Sequence, residues 1–360
     1  MSIGDKSDGS PVISGMPLSK GAMNGTRILV TGGAGFVGSE LVRQLCDYGA
    51  EVVVVDNLVN GRRGNLAGLP GDQVTLEVAD IRDGERLAEL MRGVDIVYHL
   101  ACLCIRHSLH SPQENHAVNA SGTMQVLLAA KEGGVKRFVY TSTGEVYGWP
   151  LWVPITEVHP NMPTNVYGAG KLAGEAYTRA FFATYRFPTV VIRMFNNYGP
   201  RCHHEGDCGE VIPRFLLRCM AGLPMVIFGD GTQTRDFNYV GDMARGVLMA
   251  GLVDEAVGQT FNLGSGQDIS INQLAVEVSK VVGRAKADVT YDAPRPADIM
   301  QLRADASKAK KVLGFEAKVS LQQGLARLKE WYESVGKSPE DLLEQEIVHN
   351  WKKEELQEHA

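Results

Sequence analysis

No run of apolar residues in this 360-residue chain approaches the roughly 20 needed to cross a bilayer, which excludes a transmembrane protein. Basic residues are not in surplus either: Lys+Arg 36 against Asp+Glu 42 leaves a net charge of −6, with the two signs interspersed. Such a chain offers no broad positive surface to a polyanion, so nucleic acid is not an expected partner. Cysteine is sparse, at six (positions 46, 102, 104, 202, 208 and 219), and in a long chain without an export signal these thiols are expected to be reduced. Residues 1–25 are rich in Gly, Ser and Asp and contain no continuous apolar stretch of the secretory kind. They read as a disordered tail, and the protein as cytoplasmic. What remains has ordinary globular values, 44% hydrophobic and 22% charged, with ample core for one large domain or two interlocked ones.

From Arg27 the pattern turns regular. RILV reads as a short buried strand, TGGAGFVG follows, and SELVRQLCDYG spaces Leu41, Val42 and Leu45 as a helix does. Gly32, Gly35 and Gly38 thus lie between a strand and a helix, where a missing Cβ permits a tight turn, close approach of a pyrophosphate and close helix packing. The next β-branched run, Glu51 to Val55, ends in Asp56, 18 residues after Gly38, close to the interval of the dinucleotide fingerprint. An acid there accepts hydrogen bonds from the adenosine ribose and repels a 2′-phosphate, so NAD is expected rather than NADP, with Arg62 and Arg63 nearby as the opposing signal. Strands and helices go on alternating through VTLEV, VDIVYHLA and KRFVYTS, which implies a parallel, doubly wound α/β sheet of Rossmann type with ligands at the strand ends. Asp80 and Ile81 fall at one such end and are expected beside adenine, although Asp80 also suits a helix cap.

At the next strand end stands TSTGEVYG, followed by YGAGK. Residues four apart share a helix face, so the Lys171 ammonium is expected near the Tyr167 phenol, lowering its pKa and making it a base. Thr143 can bond the same substrate oxygen while a nicotinamide takes the hydride.

TGGAGFVG, DNLVNG, ADIRD, HLA, VNASGT, TSTGEVYG, YGAGK, RMFNNYGPR, GDGTQTRDF and RPAD occur here in one order. In this the chain resembles, from about Arg27 to Tyr332, the extended short-chain dehydrogenase/reductases that act on sugar nucleotides: NAD-dependent epimerases, dehydratases and decarboxylases. The resemblance implies Tyr167 as catalytic base, Lys171 as its pKa-lowering and ribose-binding partner, Thr143 as the hydroxyl member and Asn119 as a supporting residue. It adds Phe36, Val37, Asn57, Leu100 and Ala101 to the glycines, Asp56, Asp80 and Ile81 as cofactor neighbours. It casts Asn196 as a substrate contact, and Arg235 and Arg295 as arginines that clamp the diphosphate of a nucleotide sugar, a UDP- or dTDP-sugar being expected. A homodimer packed through helices at 113–132 and 165–186 is implied as well, although their apolar residues also suit packing within one subunit.

Glu145 discriminates among these activities. Galactose-type epimerases usually carry a small or hydroxyl residue at this place, while dehydrating and decarboxylating relatives carry Glu. The 4,6-dehydratases, however, add an adjacent Asp where this chain has Gly144. The expectation is therefore epimerisation through a transient 4-keto sugar. Decarboxylation or dehydration assisted by Glu145 is the alternative, and a catalytically silent dinucleotide-binding scaffold the remote one. Glu145 as a merely local cap or partner also stays open. The segment CLCIRHSLH is richer in Cys and His than the family pattern and is expected to shape sugar selectivity. CHHEGDC (202–208) hints at zinc but lacks a finger spacing, so a flexible loop and no metal are expected. By domain, residues 26–200 and 236–265 form the dinucleotide-binding part, 201–235 and 266–335 a smaller, sequence-interleaved substrate lobe, and 336–360 a polar tail, exposed as a helix or frayed.

Overall fold

Short β-branched runs need neighbours on both faces, and the chain supplies them with helices between consecutive strands. The computed structural model describes residues 19–296, 298–352 and 354–355. The first half runs β1 (Arg27–Thr31), α1 (Phe36–Asp47), β2 (Glu51–Val55), β3 (Val74–Glu77), α2 (Gly84–Leu90), β4 (Ile96–His99), α3 (Ile105–His110), α4 (Pro112–His116), α5 (Thr123–Glu132), β5 (Arg137–Thr143), α6 (Val166–Tyr185) and β6 (Thr189–Met194). There follow β7 (Asn197–Tyr198), α7 (Val211–Met220), β8 (Met225–Phe228), β9 (Thr234–Arg235), β10 (Asn238–Tyr239), α8 (Val240–Leu252), β11 (Thr260–Leu263) and β12 (Ile269–Ser270). The chain closes with α9 (Ile271–Val282), β13 (Val289–Asp292), β14 (Gln301–Leu302), α10 (Ser307–Leu313), α11 (Leu321–Ser334) and α12 (Pro339–Leu343).

Seven parallel strands form the main sheet in the order β11-β6-β5-β4-β1-β2-β3. The order reverses between β1 and β4, and a crevice opens at the carboxyl ends of strands at such a reversal. One face is covered by α1 and α8, which bury Leu41, Val42, Leu45, Met243 and Val247; the other by α2, α5 and α6, which bury Leu87, Val126, Leu127 and Phe181. Each such side chain contributes about 1.5–3 kcal/mol by leaving water. A separate apolar cluster made by α7, α9 and α11, with Phe215, Leu216, Leu274, Val278, Leu325 and Leu328, forms the second lobe. Among the described residues no helix is long and apolar enough to cross a membrane.

Two expectations at the ends of the chain need correction. Of the tail expected over 1–25, residues 1–18 lie outside the described residues, but 19–25 form a turn in which Met23 is buried and its amide bonds the Tyr48 carbonyl at 2.9 Å. The stretch 336–352 is not a frayed tail: Leu342 and Ile347 are buried, and Glu346 bonds Arg214 (2.7 Å) and Arg218 (2.6 Å) of α7. Its polar composition conceals this because the groups that receive it lie about 130 positions upstream.

Candidate active site

Two adjoining cavities lie at the carboxyl ends of the strands. The first, about 280 Å³, is lined by Gly32, Gly35, Phe36, Val37, Gly38, Asp56, Asn57, Asp80, Ile81, Leu100 and Ala101, which brings together the cofactor neighbours expected from the sequence. The turn from β1 to α1 demands its glycines. Gly32 sits at φ +69°, where a Cβ would also stand 2.7 Å from the Ala101 nitrogen, and a Cβ on Gly38 would lie 2.1 Å from the Gly32 carbonyl oxygen. With those positions bare, the first turn of α1 faces the cavity and presents the amides that a helix leaves open at its start.

Asp56 is buried at the end of β2. One of its oxygens accepts from the Ala34 amide (3.0 Å) and the other from the Leu58 amide (2.9 Å). Burial pushes its pKa up, opposed by those two bonds. A carboxylate has about four acceptor sites, so capacity remains for a diol. Asp80 is not the helix cap, a place taken by Asp83, which accepts from the Arg86 amide. Instead the Arg82 fork (2.7 and 2.9 Å), aided by Asn57, holds its carboxyl down at about 2. Two nearby cations are held by acids: Arg82 also bonds Glu114, and Arg62 bonds Glu205.

The second cavity, about 330 Å³, is lined by Thr143, Gly144, Glu145, Tyr167, Asn196, Arg235 and Arg295, again joining residues far apart in the chain. Thr143 ends β5 in extended backbone, and its hydroxyl accepts from the Glu145 amide at 3.2 Å. Tyr167 stands in the first turn of α6, which Asn165 caps by accepting from the Gly168 amide at 2.8 Å. Thr143 and Tyr167 line the same cavity, and the Thr143 hydroxyl pulls this phenol toward ionisation.

Here an expectation fails. Burial, with the Cys102 thiol and the Glu145 carboxylate close by, drives the Tyr167 phenol well above its ordinary range rather than toward neutrality. Lys171 shares the helix face, but its ammonium lies 4.6 Å over the Tyr140 ring and interacts with Cys102 and Glu175, while burial lowers its pKa. Asn119 does not reach the phenol with its amide either. It bonds the Leu103 amide and carbonyl (2.9 and 3.0 Å) and Asn115, so it fixes the loop after β4.

Glu145 faces the cavity. Asn165 donates to its carboxylate at 3.0 Å; burial raises its pKa, with Arg235 opposing. Arg235 is itself occupied, donating to the carbonyls of Thr234 (2.8 Å) and Ile299 (2.6 Å) and to Asp298. Asp298 went unnoticed in the sequence although it belongs to RPAD. Arg295 has no hydrogen bond or ion pair among the described residues; its guanidinium lies over the rings of Phe228 (5.0 Å) and Trp351 (5.3 Å). A Cβ on Gly144 would come within 3.3 Å of the Phe195 ring, which leaves little room for a longer side chain there.

The Cys/His segment after β7 disperses. Cys202 enters the lobe core beside Tyr332, His203 and His204 turn to Glu205, and Cys208 Sγ lies 3.3 Å from Cys104 Sγ. The group whose ligand atoms converge is Cys104, Asp207 and Cys208, so the spacing of 202–208 misleads: Cys104 joins only through the fold. Nor is the segment a loose loop, because Arg106 donates to the carbonyls of Asp207 (2.6 Å) and Cys208 (2.7 Å). Arg106 was likewise missed, its only signal being the unusual CLCIRHSLH run.

Comparison with known proteins agrees with this geometry. The family model described as GDP-mannose 4,6 dehydratase matches residues 29–328. A putative UDP-glucose 4-epimerase of Methanocaldococcus jannaschii is 34% identical over 308 residues, 84% of this chain and 97% of that one. UDP-glucuronic acid decarboxylase 1 of Arabidopsis thaliana is 38% identical over 309 residues, 84% of this chain and 68% of that one. Among solved structures, DesIV, a dTDP-glucose 4,6-dehydratase from Streptomyces venezuelae with NAD bound, aligns with a TM-score of 0.81 at 33% identity, covering 86% of this chain and 98% of that one.

Proposed function

Because the chain belongs to the extended short-chain dehydrogenase/reductase family of sugar-nucleotide epimerases and dehydratases, we propose that it is an NAD-dependent nucleotide-sugar epimerase acting at C4. The observation that carries this reading is the set Thr143, Gly144, Glu145 and Tyr167 around one cavity. Two hydroxyls line it for alcohol oxidation, while Gly144 supplies no acid for the carboxyl pair that eliminates water.

NAD fits the first cavity by its bare glycine turn and by Asp56, whose remaining acceptor sites suit a ribose diol and whose charge repels a 2′-phosphate. Bound NAD supplies a reversible hydride acceptor and a positive charge beside the phenol, so no external oxidant is consumed. Tyr167 takes the proton of the C4 hydroxyl and later returns one, and Thr143 bonds the same oxygen and aligns it. Lys171 binds the ribose, its ammonium lying over Tyr140 on the same helix face as Tyr167. Asn196, Arg235 and Arg295 hold the nucleotide-sugar, a UDP- or dTDP-sugar. The keto sugar turns between oxidation and reduction, which exchanges the face that is reduced. We further assign a cytoplasmic homodimer packed through α5 and α6.

A specific observation favours a second reading. The Glu145 carboxyl, raised in pKa by burial and held by Asn165 on the cavity wall, is placed to assist loss of carbon dioxide from a 4-keto glucuronate. The test incubates the purified protein and NAD with a panel of nucleotide sugars that includes glucuronates, read by mass spectrometry with isomer-resolving chromatography. A new isomer of unchanged mass is expected. Loss of 44 mass units (about the mass of carbon dioxide) or of water would overturn epimerisation and make Glu145→Gln the next variant to assay.

A further inference from the structure

The family match stops at residue 328, yet the chain continues to pack behind Phe228 and Arg295, two residues that line the substrate-side cavity. After α12, Glu346 spans Arg214 and Arg218, and the Val348 carbonyl accepts from Arg214 at 3.2 Å. Asn350, fully buried, donates to the carbonyls of Gly206 (3.4 Å), Asp207 (3.3 Å) and Gly209 (3.1 Å), while the Gly206 amide donates to the Gln345 carbonyl. His349 bonds Asp292 at 2.8 Å, at the end of β13, three residues before Arg295. Trp351 then meets Phe228 edge-on at 4.7 Å, and the two rings form the platform on which the Arg295 guanidinium lies.

This arrangement differs from that of the other cavity arginines. Arg106 and Arg235 each commit three of their five donors, to carbonyls and to Glu210 or Asp298. Among the described residues Arg295 makes no hydrogen bond or ion pair, and its guanidinium lies over the Phe228 and Trp351 rings with its N–H groups unspent. A planar fork with free donors, on the wall of the cavity that holds the Thr143 and Tyr167 hydroxyls, suits two oxygens of a phosphate.

We propose that the segment 339–351 is a positioning strap for the nucleoside-diphosphate side of the substrate, with Trp351 seating Arg295 and Asn350 fastening the 206–209 turn. The inference rests on the nucleotide-sugar reading above. Trp351 is a positioning residue, since it acts through Arg295.

The test uses the full-length protein loaded with NAD, titrated calorimetrically with UDP and with dTDP, alongside Trp351→Leu, which keeps apolar bulk without a π face, and Trp351→Phe, which keeps a ring. The expected result for Trp351→Leu is an affinity for the preferred nucleotide lowered about five- to tenfold, with NAD affinity within about twofold of wild type and Trp351→Phe recovering most of the loss. With a turned-over sugar nucleotide, KM should rise by the same factor while kcat stays within about twofold. Unchanged nucleotide affinity in Trp351→Leu overturns the strap. So does an equal loss of NAD and nucleotide affinity with a lowered Tm, which is what a merely structural role would produce. A wild-type protein that binds NAD but neither nucleotide overturns the nucleotide-sugar reading and the strap with it.

Discussion

Tyr167 is where residue identity and environment pull in opposite directions. A phenol four residues before a lysine on one helix looks, in sequence, like a phenol next to a cation. In the fold the half-buried phenol stands near a thiol and a carboxylate, and the ammonium lies over another ring. The protein without cofactor therefore keeps this side chain protonated, and ionisation waits for positive charge in the loaded site. Tyr167→Phe removes the proton acceptor and little else. Turnover of whichever sugar nucleotide the panel identifies should fall about 10²–10⁴-fold, with NAD affinity by calorimetry close to wild type. Unaltered turnover would instead return the chain to the silent-scaffold reading. Gly144 makes the opposite point: its significance was legible as a departure from the dehydratase pattern, while the reason that departure persists, the Phe195 ring at 3.3 Å from a would-be Cβ, is tertiary.

Among the elements, α6 carries the most. It presents Tyr167 to the substrate-side cavity, carries the buried Lys171, and is fastened to the sheet by Glu175, whose carboxylate takes a two-point bond from Arg193 of β6 (2.9 and 2.7 Å) with both groups almost wholly buried. Burial works against the Glu175 charge, and the bonds from Arg193 outweigh it, so its pKa lies below the ordinary value. A depressed carboxyl lends stability that is fully present above the unfolded pKa of about 4.3 and is lost as pH falls through the folded value. Urea midpoints followed from pH 7 to 3 should therefore drop steeply in the acid limb, and Glu175→Gln should flatten that limb. At pH 7, Glu175→Ala should cost about 3–5 kcal/mol because Arg193 is left as a buried, uncompensated cation. A loss under 1 kcal/mol (the usual range of a surface pair) would show that water reaches this pair. None of this was visible in the sequence, where Glu175 reads as one more polar residue of a helix.

Across the whole molecule, α8 and β11 return to the sheet after the chain has begun the second lobe, so the two parts are tied by several crossings and the cavities lie between them. The proposed dimer uses the outer sides of α5 and α6, which leave Leu128, Val166 and Tyr185 exposed in the single chain. Light scattering after size exclusion should give twice the chain mass, and Leu128→Glu with Tyr185→Glu should return it to one; a monomeric wild type would mean those side chains serve only their own subunit. The sequence by itself determined the doubly wound sheet, the glycine turn, and the places of Asp56 and Thr143 at strand ends and of Tyr167 and Lys171 on one helix. Those features are local: a strand, a turn and a helix each carry their own periodicity, and a bare position in a turn shows as glycine wherever the rest of the chain goes. Only the tertiary structure decided what surrounds them. Desolvation, the partner of a buried charge and the seat of Arg295 depend on groups such as Trp351, Asp298 and Arg193 that approach from distant positions, and spacing along a chain does not encode distance through space.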